Sequence, residues 1–127
     1  GDERVSSGDL SSRFLKLHAE GNVQVARVRV ARLTEDVNLE QFGHELFALV
    51  EQSSCRKLVV DLAEVTAITS AGLGKMIALH RKVHRLQGGV VFCHVQPAVA
   101  EVLETSRLST YLVIAPDVPR AVANLAN

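Results

Sequence analysis

The chain has 127 residues, enough for one domain with a single buried core and too few for a second. Apolar residues make up 47% of it, chiefly Val, Leu and Ala with no Trp, which suits a sheet covered by helices and excludes general disorder. Lys plus Arg and Asp plus Glu number 14 each, so no global field draws the chain to nucleic acid or to an anionic membrane surface.

No apolar run approaches bilayer-spanning length and no signal-peptide pattern opens the sequence, so the expected location is cytoplasmic and no membrane partner is expected. Residues 1–13, rich in Ser, Gly and charge, are expected to form a flexible N-terminal segment, with the domain spanning 14–127. Residues 14–17 and 23–30 alternate apolar with polar around Glu20-Gly21-Asn22, the pattern of two strands joined by a hairpin. The step from Val25 to Val28 breaks strict alternation and allows a bulge near Ala26. Leu39, Phe42, Leu46, Phe47, Leu49 and Val50 recur at helical spacing, with Asn38 as candidate N-cap and Ser53-Ser54 closing the segment. Residues 57–62 are short, β-branched and apolar, as a central strand buried on both faces should be. After a linker at 63–69, a second helix starts at or near Ser70, carries Leu73, Met76, Ile77, Leu79, Val83 and Leu86, and stops at Gly88-Gly89. A buried strand at 90–95, a short helix led by Pro97, a last strand at 111–114 and a last helix at 117–125 complete the order β-β-α-β-α-β-α-β-α. That order predicts an α/β fold with a mixed sheet, parallel in its later part.

The segment Leu58-Val59-Val60-Asp61-Leu62, then Val65, then Ile68-Thr69-Ser70-Ala71-Gly72-Leu73-Gly74, closely resembles the core motif of STAS domains, the family of bacterial anti-sigma factor antagonists. The likeness continues through the basic helix, the Gly88-Gly89 break, the following strand and the proline-led helix, and covers most of residues 23–125. It implies a single STAS-like domain. In the family the motif reads Asp-Ser-Ser/Thr-Gly-Leu, and its first Ser or Thr is phosphorylated by a partner that is both serine kinase and anti-sigma factor. The matching residue is Ser70, with Thr69 the less favoured acceptor, and the implied partner surface comprises Thr69, Ser70, Ala71, Gly72, Leu73, Gly74 and Lys75 together with Arg32 and Thr34. Three positions depart from the family pattern. Thr69 stands where an acid usually precedes the acceptor, Ala71 replaces the following Ser/Thr, and Ala31-Arg32-Leu33-Thr34 replaces a Gly-Glu-Leu/Ile-Asp loop.

A serine at a helix start lies where several backbone N–H groups lack intrahelical acceptors and the helix dipole is positive, so a phosphate there suits the fold. The residue types alone leave two readings of Ser70 open, a plain helix N-cap and a regulatory acceptor. Gly72 and Gly74, lacking Cβ atoms, would allow close approach of another backbone or unusual dihedrals.

Lys75, Arg81, Lys82 and Arg85 lie on one helix in a stretch without Asp or Glu from residue 65 to 100, either a solvated face or a dock for an acidic partner. Without interleaved aromatics it is a poor nucleic-acid reader. His80 and His84 have the i,i+4 spacing of two metal ligands, but their neighbours are cationic and no metal site is expected; His18, His44 and His94 read as structural. Cys55 and Cys93 lack CxxC spacing and read as buried or half-buried thiols in a reducing compartment. Asp61 and Glu64 lie near the carboxyl end of a strand and could be imagined as an acid/base pair, against the plainer reading of Asp61 as a turn-forming acid. No nucleophile with a base, phosphate-cradling loop or cofactor fingerprint accompanies them, so neither an enzyme nor a cofactor is expected. The sequence thus predicts a regulatory module resembling an anti-sigma factor antagonist, binding an anti-sigma factor/serine kinase and switched at Ser70. The alternative is a non-phosphorylated STAS-like scaffold that binds a nucleotide or another signalling protein. Oligomeric state is left open.

Overall fold

Alternating apolar residues pair the first two strands, β1 (Leu15–Glu20) and β2 (Val23–Val28), into an antiparallel hairpin from Leu15↔Val28 to Glu20↔Val23. Gly21 takes φ +64 at the first position of the two-residue turn, where a hairpin of this length demands positive φ. The computed structural model describes residues 14–34, 37–52 and 55–126. The expected N-terminal segment and the Ser53-Ser54 stop lie outside the described residues.

The register of β1 with β2 runs without interruption, so the bulge allowed near Ala26 does not occur. The broken alternation has another cause. Val23 and Val25 pack on one face of the sheet, and Ala26 and Val28 on the other, because β2 is covered from both sides.

The main sheet has the order β1, β2, β4 (Lys57–Asp61), β6 (Gly89–Cys93), β7 (Ile114–Ala115). β4 is its central strand, as expected, with β2 and β6 parallel on either side and β7 parallel at the edge. The predicted strand at 111–114 is thus shorter and displaced toward the C-terminus. Tyr111 and Leu112 instead turn back on the Leu108 carbonyl, and of the apolar run only Leu112 is buried. Two further strands escape the sequence pattern altogether. β3 (Arg32–Leu33) and β5 (Ala67–Ile68) form a separate parallel pair within segments read as loop and linker.

Among the described residues four helices cover the sheet: α1 (Val37–Gln52), α2 (Ser70–Arg85), α3 (Pro97–Thr105) and α4 (Val118–Ala126). Asn38 lies inside the first turn of α1, not at its N-cap. Leu39, Phe42 and Leu46 of α1, Leu73, Met76, Leu79 and Val83 of α2, and Val99 and Leu103 of α3 build the main core with Leu58, Val60, Val90 and Phe92. Ala121, Val122 and Leu125 of α4 close the opposite face over Val23, Val25, Val59 and Val91. β4 is therefore apolar at successive positions because both of its faces are buried.

At the end of α2, Gly88 N–H donates to the Val83 carbonyl and Gln87 N–H to the His84 carbonyl, both at 2.9 Å, a Schellman closure with Gln87 at φ +63. Gly88 serves a different purpose. A Cβ there would lie 2.2 Å from the Arg56 carbonyl oxygen, so glycine lets the chain pass the start of β4.

Candidate functional site

β5 runs directly into α2, and β3 lies beside it, so residues 31–34 and 67–70 form one surface. Thr69 is the N-cap, in extended conformation (φ −110, ψ 177), yet its hydroxyl makes no capping bond. Its N–H and its Oγ1–H both donate to the Leu33 carbonyl, at 3.1 and 3.4 Å, pinning β3 to the helix start. Thr66 does the same one step earlier, its N–H and Oγ1–H donating to the Ala31 carbonyl at 2.8 and 3.2 Å.

Ser70 is the first residue of α2 and is exposed, with no hydrogen-bond partner for its hydroxyl among the described residues. The first helical bond is donated by Leu73 N–H to the Thr69 carbonyl at 3.0 Å, so the earlier N–H groups of the turn have no acceptor within the helix. No acid occupies that turn. The dipole there is uncompensated by the helix's own side chains.

The other residues of the expected partner surface divide by burial. Arg32, Ser70 and Gly74 are exposed, Thr34, Thr69, Ala71 and Lys75 half-buried, and Gly72 and Leu73 buried. Leu73 belongs to the core. Gly72 lies against β3 and β5, where an added Cβ would come within 2.7 Å of the Leu33 carbonyl oxygen. At Gly74 an added Cβ meets nothing within 4 Å. Among the described residues, only the first of the two glycines is therefore needed for close packing.

The basic residues of α2 do not form one face. Lys75 reaches Glu40 of α1 at 3.4 Å with its stem over Gly43, and Lys82 pairs with Glu51 of α1. Arg81 and Arg85 flank His80, His84 and Tyr111 around a separate hollow. There the His80 and His84 rings stack at 5.7 Å, and Tyr111 tilts against His80 at 4.9 Å. His80 Nδ1 is buried without a hydrogen-bond partner among the described residues. Burial first, and then the neighbouring His84, hold the His80 pKa below its ordinary value. A histidine held neutral in the fold supports stability at pH above its unfolded pKa of about 6.5, and that support is lost as pH falls through the lower folded value. The urea midpoint is therefore expected to fall on acidification from about pH 7 to about pH 5.5. His80→Gln should flatten that dependence, and an unchanged slope would remove His80 as its source.

Asp61, at the end of β4, is 3% exposed and is held from three sides. Ala63 N–H donates to its Oδ1 at 3.0 Å, His94 Nδ1 lies 2.9 Å from the same oxygen, and Arg27 Nε donates to Oδ2 at 3.4 Å. Glu64 shares Arg27 at 3.7 Å. The turn-forming role expected of Asp61 is present in the Ala63 bond, whereas His94, expected to stand alone, is its partner. Cys93 pairs with Asp61 in the parallel register of β4 and β6 and is fully buried. Its thiol is pushed up to about 12, by burial first and then by the Asp61 and Asp117 carboxylates. The sequence signal for this cluster was the Cys93-His94 pair at the end of the strand that neighbours Asp61.

Comparisons relate the chain and its fold to known proteins. A sequence model of the STAS domain matches residues 17–121. Over 74 residues the chain is 35% identical to BtrV of Bordetella bronchiseptica, described as a candidate anti-sigma factor antagonist. That match covers 58% of this chain and 63% of BtrV, under two thirds of the relative's length. The structure resembles a candidate anti-sigma factor antagonist of Thermotoga maritima with a TM-score of 0.79 at 17% identity, covering 89% of this chain and 95% of that one. It also resembles the anti-sigma factor antagonist SpoIIAA of Bacillus in its unphosphorylated and phosphorylated forms. The TM-score is 0.64 for each, at 12% and 16% identity, covering 87% of this chain and 94% and 97% of the respective SpoIIAA chains. At such identities the likeness establishes the fold. Among the described residues no helix is long and apolar enough to cross a membrane.

Proposed function

Since the chain belongs to the STAS domain family, we propose that it acts as an anti-sigma factor antagonist whose binding to an anti-sigma factor/serine kinase is switched by phosphorylation of Ser70. The observation that carries this reading is the setting of Ser70: exposed, first in α2, with an unengaged hydroxyl among the described residues, beside N–H groups that have no acceptor within the helix. The fold match to SpoIIAA in its phosphorylated form supports the reading. Thr69 is the weaker acceptor, because it is half-buried and its hydroxyl already donates to the Leu33 carbonyl. The unmodified surface around Arg32, Thr34, Ser70 and Gly74 would receive the partner, and phosphate would bring nearly two negative charges into that contact. The effect falls on the complex and leaves the fold intact.

Incubating the chain with its cognate kinase and ATP, followed by intact and fragment mass spectrometry, tests the proposal. One phosphate is expected, lost in Ser70→Ala and kept in Thr69→Val. No transfer, or transfer to another residue, would overturn the switch and favour a scaffold that is not phosphorylated.

A further inference from the structure

The cluster at the carboxyl ends of β4 and β6 has no part in the proposed switch. It brings a thiol, an imidazole and a carboxylate together, with one donor atom from each of Asp61, Cys93 and His94 within 4.8 Å of the others. These are the three side-chain types that ligate zinc, with bonds of about 2.0–2.3 Å. Across a tetrahedral centre such bonds set neighbouring donor atoms roughly 3.3–3.8 Å apart. His94 Nδ1 and Asp61 Oδ1 lie 2.9 Å apart in a hydrogen bond that the ion would replace, and Cys93 Sγ lies within 4.8 Å of a donor atom of each.

We propose that Asp61, Cys93 and His94 form a binding site for one thiophilic divalent transition ion, zinc being the best fit. Sulfur and nitrogen donors select such an ion over magnesium or calcium. The charge also suits it. A thiolate and a carboxylate would neutralise a divalent ion, and Arg27 meets the other Asp61 oxygen and is itself shared with Glu64. On binding, the Cys93 proton leaves to solvent, and the His94 proton resides on Nε2 so that the Nδ1 lone pair faces the ion.

The surroundings supply what a ligand set needs outside itself. Ala63 N–H and Arg27 hold the Asp61 carboxylate in place, and Gln96 Nε2 donates to the Ala63 carbonyl at 2.6 Å, fastening the turn after β4 to the segment after β6. His94 is the exposed member, its side chain 37% accessible against 4% for Asp61, so the ion enters from its side and water completes the fourth position.

The rival site is the His80–His84 pair on α2, which has helical chelate spacing but stands beside Arg81 and Arg85. Cobalt titration of the full chain under reducing conditions distinguishes the two, because only a thiolate ligand gives a near-ultraviolet charge-transfer band. One equivalent of cobalt should produce that band together with tetrahedral visible bands, and zinc should displace it. Cys93→Ser should abolish the band. His94→Ala, on the exposed side, should weaken cobalt binding at least tenfold while circular dichroism stays native, which keeps the test decisive if Cys93→Ser folds poorly. Cys55→Ser and the double variant His80→Ala/His84→Ala should retain it. A native chain with no thiolate band, or a band lost with Cys55 or with the histidine pair, would overturn the assignment.

Discussion

Ser70→Asp is expected to weaken binding to the purified anti-sigma partner by a hundredfold or more while leaving the urea midpoint unchanged or slightly raised. The two halves of this result have separate causes. Within the fold, residue 70 sits where the helix dipole is positive and no acid is present in the turn, so a carboxylate stabilises the free domain by about 0.3–1 kcal/mol. Within the complex, the same charge enters a surface that includes half-buried Thr34 and Ala71, and the first turn of α2, Ser70 to Leu73, holds no basic side chain to pair with it. A desolvated, unpaired charge costs several kcal/mol, and every ~1.4 kcal/mol is tenfold in affinity. Ser70→Ala should bind like the unmodified chain. Calorimetric titration beside urea denaturation checks both halves. Equal affinities for Ser70→Asp and Ser70→Ala would take Ser70 out of the interface, whatever kinase assays showed.

The site was legible to the extent that it is contiguous. The motif from Ile68 to Gly74 carries its own helix start, and the long periodic segments of α1, α2, β4 and β6 read true because each buries a wide face. β3 and β5 were not legible. Each has two residues, and each exists because of the other, with Arg32 opposite Ala67 and Leu33 opposite Ile68, so neither has a local period to read. The broken alternation of β2 was legible as an anomaly but not as a cause, since burial on both faces and a bulge leave the same trace. Ion pairs were the least accessible. Lys75 with Glu40, Lys82 with Glu51, and Asp61 with Arg27 and His94 join residues more than thirty positions apart, and their meeting depends on strand register and helix docking. The basic stretch of α2 therefore looked like one face in sequence and is two in space.

The two glycines after Ser70 provide the sharpest separation of fold from function, because alanine should act on them in opposite directions. Gly72→Ala adds a Cβ 2.6 Å from Ile68 Cγ1 and 2.7 Å from the Leu33 carbonyl oxygen. The isoleucine can rotate, but the carbonyl is backbone, held by the N–H and hydroxyl of Thr69. β3 must move away from α2, and the overpacking outweighs the gain in helix propensity, for a net loss of about 2 kcal/mol. Gly74→Ala meets nothing within 4 Å on an exposed turn and should raise stability by up to about 1 kcal/mol. Paired urea titrations read both values, and a stabilising Gly72→Ala would contradict the close approach of β3 to α2. Their effects on partner binding then carry different meanings. Weaker binding by Gly72→Ala would report a displaced β3 with its Arg32 and Thr34. Gly74→Ala leaves the fold intact, so any loss of affinity there places the partner against that turn of the helix, and unchanged affinity confines the contact to Ser70 and the β3 side.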